Sequence, residues 1–159
     1  MFRWFPIIWK DEDWDDHFIF EIFKFKLKNQ AKYIGGRDFH TRAKRDAEIM
    51  NLCVRLMEKV QNDYYNTEHL DFEETSFELV PIPNSENYEM KSTYISDTLN
   101  DYFNKYPLIY NKVVTKYNLV DDNHVVRYRI AMYRSRINHD RARKLLFKLM
   151  ERNIERWWN

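Results

Sequence analysis

The sequence predicts a mainly α protein: a compact bundle of about five helices, opened by an αα-hairpin, with an excursion at 76–94 that reads either as a small β-hairpin or as an irregular loop. Three observations lead there. Two glycines and four prolines in 159 residues are too little punctuation for an all-β sandwich or barrel. Hydrophobic residues at 44%, with aromatics at 17%, supply one core at a length that needs no disulfide or metal staple. Apolar residues also recur at helical spacing over long stretches. Residues 1–159 therefore read as a single helical domain, with 67–94 as a variable acidic excursion.

The first element opens on DEDWDD at 11–16, acidic residues that suit the positive end of a helix dipole, and runs to Ile34 before Gly35-Gly36. Trp14, Phe18, Ile22 and Phe25 share one face. Ile19, Phe20, Phe23, Leu27 and Ile34 fill most of the rest, leaving a polar wedge of His17, Glu21, Lys24 and Lys28. A helix this apolar is expected at the centre of the bundle, buried on two sides. Phe23–Leu27 also alternates with period 2, but the long apolar stretch without breakers favours helix.

A second helix is expected over about 39–65, with Ala43, Ala47, Met50, Val54, Met57 and Tyr64 as its stripe, antiparallel to the first across the short Gly-Gly link. Two alternating stretches, 76–80 and 88–94, sit in the acidic segment, and two strands alone are marginal. Ser96 caps a helix to about Lys105. Pro107 starts another to about Tyr117. A helix from about Asp121 to Asn138, a break at Asn138-His139-Asp140, and a last helix to Trp158 complete the chain.

Net charge is +1 but polarised. Asp63–Asp101 carries ten acidic residues and one basic, whereas His124–Asn159 carries ten basic and three acidic. Either the two segments pair within the molecule or the tail is an anion site. One cysteine, Cys53, excludes an internal disulfide framework. No signal-peptide pattern or apolar run of about 20 residues is present, so a cytoplasmic protein without membrane partners is expected.

Two adjacent glycines exclude a P-loop, a dinucleotide-binding turn and a nucleophile elbow. With no CxxC and no HExxH, zinc through cysteines is out. Asp11, Asp13 and Asp15 suggest a calcium loop, but Asp16 and Ile22 occupy the positions that need Gly and Glu. The five histidines, His17, His40, His69, His124 and His139, show no ligand-pair spacing, and Cys53 lies within an apolar stretch. We expect no catalytic residues, no metal and no cofactor.

The positive feature is Arg127, Arg129, Arg134, Arg136, Arg141 and Arg143 within 17 residues, with Tyr128 and Tyr133 among them. Arginine suits bidentate phosphate contacts, so these six are the candidate ligand-binding residues. Trp4, Trp9 and Trp14 at one end, with Trp157 and Trp158 at the other, are candidate interface residues of a homo-oligomer.

Asp13–Asp16 leading into Phe18–Leu27, and Ala142–Met150 running into Ile154–Asn159 with its Trp-Trp pair, resemble a widespread group of small bacteriophage proteins. The resemblance covers about 9–65 and 139–159. It implies a phage origin and action in the host cytoplasm, and it implies no catalytic residues. The expectation is a non-enzymatic binding protein, in its sharpest form a counter-defence protein that captures a nucleotide signal or a host defence protein through the Arg-rich region. Alternatives are a DNA- or RNA-associated protein, a hydrolase using the acidic N-terminal cluster with a metal, and a structural or assembly part of the virion.

Overall fold

The computed structural model describes residues 5–9, 17–37, 40–120 and 123–158. The chain is mainly α. Its elements are α1 (Phe5–Ile8), α2 (His17–Gly35), α3 (Ala43–Gln61), α4 (Tyr64–Thr67), a 3-10 turn (Glu68–Phe72), β1 (Glu73–Pro81), β2 (Tyr88–Asp97), α5 (Leu99–Lys105), α6 (Pro107–Tyr117), α7 (His124–Asn153) and a closing 3-10 turn (Arg156–Trp158). It divides into two compact units, Met1–Tyr64 with His139–Asn159, and Tyr65–Asn138.

In the first unit, α2 and α3 form the expected antiparallel hairpin. Gln61 donates to the His17 carbonyl at 3.0 Å at one end, and at the other a Cβ on Gly35 would sit 3.0 Å from the Ala47 Cβ. Small residues Ala31, Ala43 and Ala47 are buried along this approach. Met50, Cys53, Val54, Leu56, Met57 and Val60 bury the stripe of α3, and Ala142, Leu146 and Met150 of α7 belong to the same unit. Arg156 meets the buried carboxylate of Asp46 at 2.5 Å.

One expectation about α2 needs correction. Leu27, Ala31 and Ile34 are buried, but Ile19 is 58% exposed and Phe23 38% exposed. The helix is apolar on more sides than its neighbours cover, so its N-terminal half is not central. The DEDWDD start lies outside the described residues.

In the second unit, β1 and β2 form an antiparallel hairpin, pairing Phe77 with Ser92, Leu79 with Met90 and Pro81 with Tyr88, with an irregularity between Glu74 and Thr75. The hairpin alternative for 76–94 therefore holds, with longer strands. The turn closes with Ile82 N–H donating to Asn87 O at 3.0 Å, and Asn84 takes a left-handed φ of 61°, which asparagine tolerates. The helix expected to be capped by Ser96 begins later, at Leu99, because Ser96 is held in the ladder opposite Glu74. Thr98 donates through both its N–H and its hydroxyl to the Phe72 carbonyl, at 3.2 and 3.0 Å, tying the base of the hairpin.

The core here is Leu99, Tyr102, Phe103, Ile109, Val113, Ile130 and Ala131. Pro107 opens α6 as expected, and Asn118 ends it in the left-handed conformation at φ 47°.

A second correction concerns α7. It runs unbroken from His124 to Asn153, through the Asn138-His139-Asp140 stretch read as a break. Polar residues cost a helix only a few tenths of a kcal/mol each, about 0.7 at most, whereas Gly and Pro cost about 1 and 3, and neither occurs between His124 and Asn153. Among the described residues no helix is long and apolar enough to cross a membrane.

Gly35→Val tests the close helix approach. The added methyls meet Ala47, so unfolding by urea should show a loss of about 1–3 kcal/mol. Lys32→Val, at an exposed position of the same helix, serves as the comparison.

Candidate functional site

The six arginines occupy one helix, and its phase separates them. Arg127 and Arg134, seven apart, face the interior of the second unit. Arg127 donates to Asn100 Oδ1 at 2.8 Å and lies over the Phe103 ring at 5.5 Å. Arg134 is completely buried and donates to the Phe103 carbonyl at 2.8 Å. Its guanidinium sits over Tyr102, Phe103 and Tyr106 at 4.9, 5.5 and 5.2 Å, a cation–π cage. Burial lowers its pKa to about 10, while Tyr102, Tyr106 and Glu68 favour its charge. Arg129, Arg136 and Arg141 are exposed. Arg143, also exposed, lies 3.3 Å from Asp140. The six therefore do not converge on one site.

A buried polar chain accompanies Arg134. The Tyr102 hydroxyl and Ser135 Oγ are 2.8 Å apart, and Ser135 Oγ lies 2.9 Å from His69 Nδ1. Nearby, Glu68 accepts from the Tyr106 hydroxyl at 3.1 and 3.0 Å and pairs with Lys105. Burial first, then Glu68, pushes the Tyr106 hydroxyl pKa up. A Ser–His contact has the spacing of a nucleophile and its base. Here Ser135 and His69 are both buried and Ser135 also engages Tyr102, so the arrangement satisfies interior polar groups.

The remaining candidates are placed individually. Among the described residues no group of three or more His, Cys, Asp or Glu side chains could hold a metal ion, and Asp11, Asp13 and Asp15 lie outside them. Cys53 is buried, which pushes its thiol up to about 11, away from thiolate reactivity. Trp9 is 77% exposed and stacks on Phe5 at 5.3 Å. Trp157 is buried, and its carbonyl accepts from Gln30 at 3.1 Å. Trp4, Trp14 and the Trp158 side chain lie outside the description.

What the structure does assemble is a groove in the first unit. α2 contributes His17, Ile19, Phe20 and Phe23; α3 and its end contribute Met57, Val60, Gln61 and Asp63; α7 contributes His139, Arg143, Phe147 and Met150. Its volume is about 840 Å³, within the roughly 300–1,000 Å³ of ligand sites. Phe147, at 53% exposed, stands on the α7 wall, and Ile19 and Phe23, one turn apart, stand on α2. Along the polar rim, His139 is 3.9 Å from Asp63, His17 is 3.7 Å from Glu21, and Arg143 faces Asp140 at 3.3 Å. A shallower recess of about 630 Å³ shares Arg143, Phe147 and Met150 and adds Lys144, Lys148, Glu151 and Ile154. Of the six arginines, Arg143 lines both the groove and this recess. The sequence signal for the groove was the apolar excess of α2 beyond a single face.

No protein-family model, curated protein or solved structure matches the chain.

The buried histidine makes a testable pH dependence. Burial lowers the His69 pKa, against the opposing effects of a backbone hydrogen bond at Asn66 and the charge of Glu73. Below about pH 6.5 the unfolded chain takes up a proton at this residue that the folded chain resists, so stability falls as pH drops through that window, by at most about 1.4 kcal/mol per pH unit. Urea midpoints between pH 7 and 5 should fall for the native chain and fall less steeply for His69→Asn.

Proposed function

We propose that this chain is a non-enzymatic binding protein that holds an amphipathic helix of a partner protein in the groove between α2, α3 and the C-terminal half of α7. The observation that carries the reading is the exposure of Ile19, Phe23 and Phe147 along the two walls, above a floor of Met57, Val60 and Met150. A groove of this kind accepts apolar anchors at helical spacing, and methionines let its floor adapt to the incoming side chains. Lys144 and Lys148 on the α7 side favour acidic residues flanking those anchors.

A nucleotide signal fits less well. Its phosphates need convergent cations, whereas Arg143 already faces Asp140 and His139 already faces Asp63. The resemblance to small bacteriophage proteins supports a phage origin. Under it the partner is a host protein, a defence protein in the sharpest version, and the chain acts in the host cytoplasm. The exposed Arg129, Arg136 and Arg141 favour a second reading, contact with a nucleic-acid backbone, which would weaken steeply with salt.

Fluorescence anisotropy with a labelled helical peptide carrying Leu at i, i+3 and i+7 and Glu elsewhere tests the groove. Binding should be saturable, and Phe147→Asp or Phe23→Asp should weaken it at least tenfold, about 1.4 kcal/mol. Arg129→Ala should leave it unchanged. Equal affinity in all three variants, or measurable heat from ATP that depends on Arg143, would refute the helix reading.

A further inference from the structure

The segment that leads into α2 has the chemistry that the groove selects. Trp9 continues the helical turn of α1, its N–H donating to the Phe5 carbonyl at 2.9 Å. The Phe5 and Trp9 rings, one turn apart, stack at 5.3 Å and make a single aromatic wedge. Phe5 is 57% exposed and Trp9 77% exposed. Both belong to the same unit as the groove, yet neither lines it. The sequence then passes through Asp11, Glu12, Asp13, Asp15 and Asp16 to His17, the first residue of the groove. Two aromatic anchors at helical spacing are thus followed directly by five carboxylates.

The groove complements that segment in shape, charge and area. Its exposed wall residues, Ile19 and Phe23 on α2 and Phe147 on α7, accept apolar anchors one helical turn apart, the spacing of Phe5 and Trp9. The adjoining recess shares Phe147 with the groove and carries Lys144 and Lys148, one turn apart and both exposed, against the single carboxylate of Glu151. Opposite charges at the rim orient an incoming segment. Taking about 200 Å² for each large side chain, Phe5, Trp9 and the three wall residues together expose roughly 550 Å². Two such contacts would cover roughly 1,100 Å², and a specific interface needs about 1,000 Å².

We propose that a second copy of this chain fills the groove, in a twofold exchange in which the Phe5–Trp9 wedge of each copy enters the groove of the other. The carboxylates that follow the wedge then lie towards Lys144 and Lys148 of the partner subunit. The inference rests on the groove being a helix site and adds what competes for it. Exchange of one element between identical copies closes on itself as a dimer and is a low-cost route to one. Seven residues separate Trp9 from His17 and span at most about 27 Å, so the two grooves sit close to the twofold axis. A helix from another protein has to displace the exchanged segment, which makes self-association and partner binding mutually exclusive.

Sedimentation equilibrium of the full chain over a wide concentration range tests this. The native chain should show a reversible monomer–dimer equilibrium, and the acidic helical peptide of the anisotropy experiment should shift it to monomer. Phe5→Ala with Trp9→Ala should weaken the dimer at least tenfold, with an unchanged helical circular dichroism spectrum because both positions are exposed. That double variant should still bind the peptide, and more tightly than the native chain, because its groove is empty. Phe147→Asp should weaken the dimer likewise. Mixing the two variants, one with an intact groove and the other with intact anchors, should restore a heterodimer at concentrations where neither associates alone. A native chain that is monomeric at every concentration, a dimer indifferent to either variant, or a mixture that stays monomeric would overturn the exchange. Peptide binding that survives such a result leaves the helix site standing, whereas loss of both removes the helix site as well.

Discussion

The phase of α7 governs where the chemistry of this chain can be. Thirty residues from His124 to Asn153 form one uninterrupted helix, about 45 Å long at 1.5 Å per residue. Within each unit, a side chain's direction is fixed by its position in a 100° progression. In the second unit that progression turns Ile130, Ala131, Arg134, Ser135 and Asn138 inward, and in the first it buries Ala142, Leu146 and Met150. Arg129, Arg136, Arg143 and Phe147 are left outside. Burying Arg134 under three aromatic rings follows from the same phase, and so does the use of Ser135 and His69 as interior hydrogen-bonding groups. A guanidinium taken out of water this way is costly to strand, which explains why aromatic faces, a backbone carbonyl and a nearby Glu68 surround it.

The second consequence is surplus apolar surface. A chain with 44% hydrophobic residues and only short helices besides α2, α3 and α7 has more large side chains than its two small cores enclose. Leu108, Val120, Val125 and Leu145 stand exposed elsewhere, while part of the surplus is contiguous. In the first unit it lines the walls of one groove, and in the second it forms one face of a hairpin. Isolated exposed hydrophobics need no explanation, whereas contiguous ones mark interaction surfaces. The hairpin face lies outside the arginine cluster that the sequence singles out, and the groove includes Arg143 from it.

Much of the fold was legible because it rests on local signals. The stripe from Ala43 to Val60, the proline at the start of α6 and the glycine pair closing α2 each act within a few residues, and the structure places those elements where the sequence does. The failures were of two kinds. Asn138-His139-Asp140 resembles a helix boundary in residue type, yet contains nothing that forbids helix, so burial of Asn138 and continuity prevailed. Apolar periodicity in α2 shows that several faces are greasy but cannot say which of them find a neighbour. The site was less legible still. Clustering in sequence put six arginines together, and a helix disperses such a cluster around its circumference. Leu79 and Met90, like Pro81 and Tyr88, are brought together only by strand register, a pairing that no spacing rule reveals.

The groove reading can be tested at single-residue level with [¹³C-methyl]methionine NMR. On addition of an acidic amphipathic helical peptide, the signals of Met57 and Met150, on the groove floor, should shift together and saturate at one equivalent, while that of Met90 on the hairpin stays in place. Unmoved Met57 and Met150 signals at saturating peptide, or a shift confined to Met90, would contradict the assignment of the groove as the partner site.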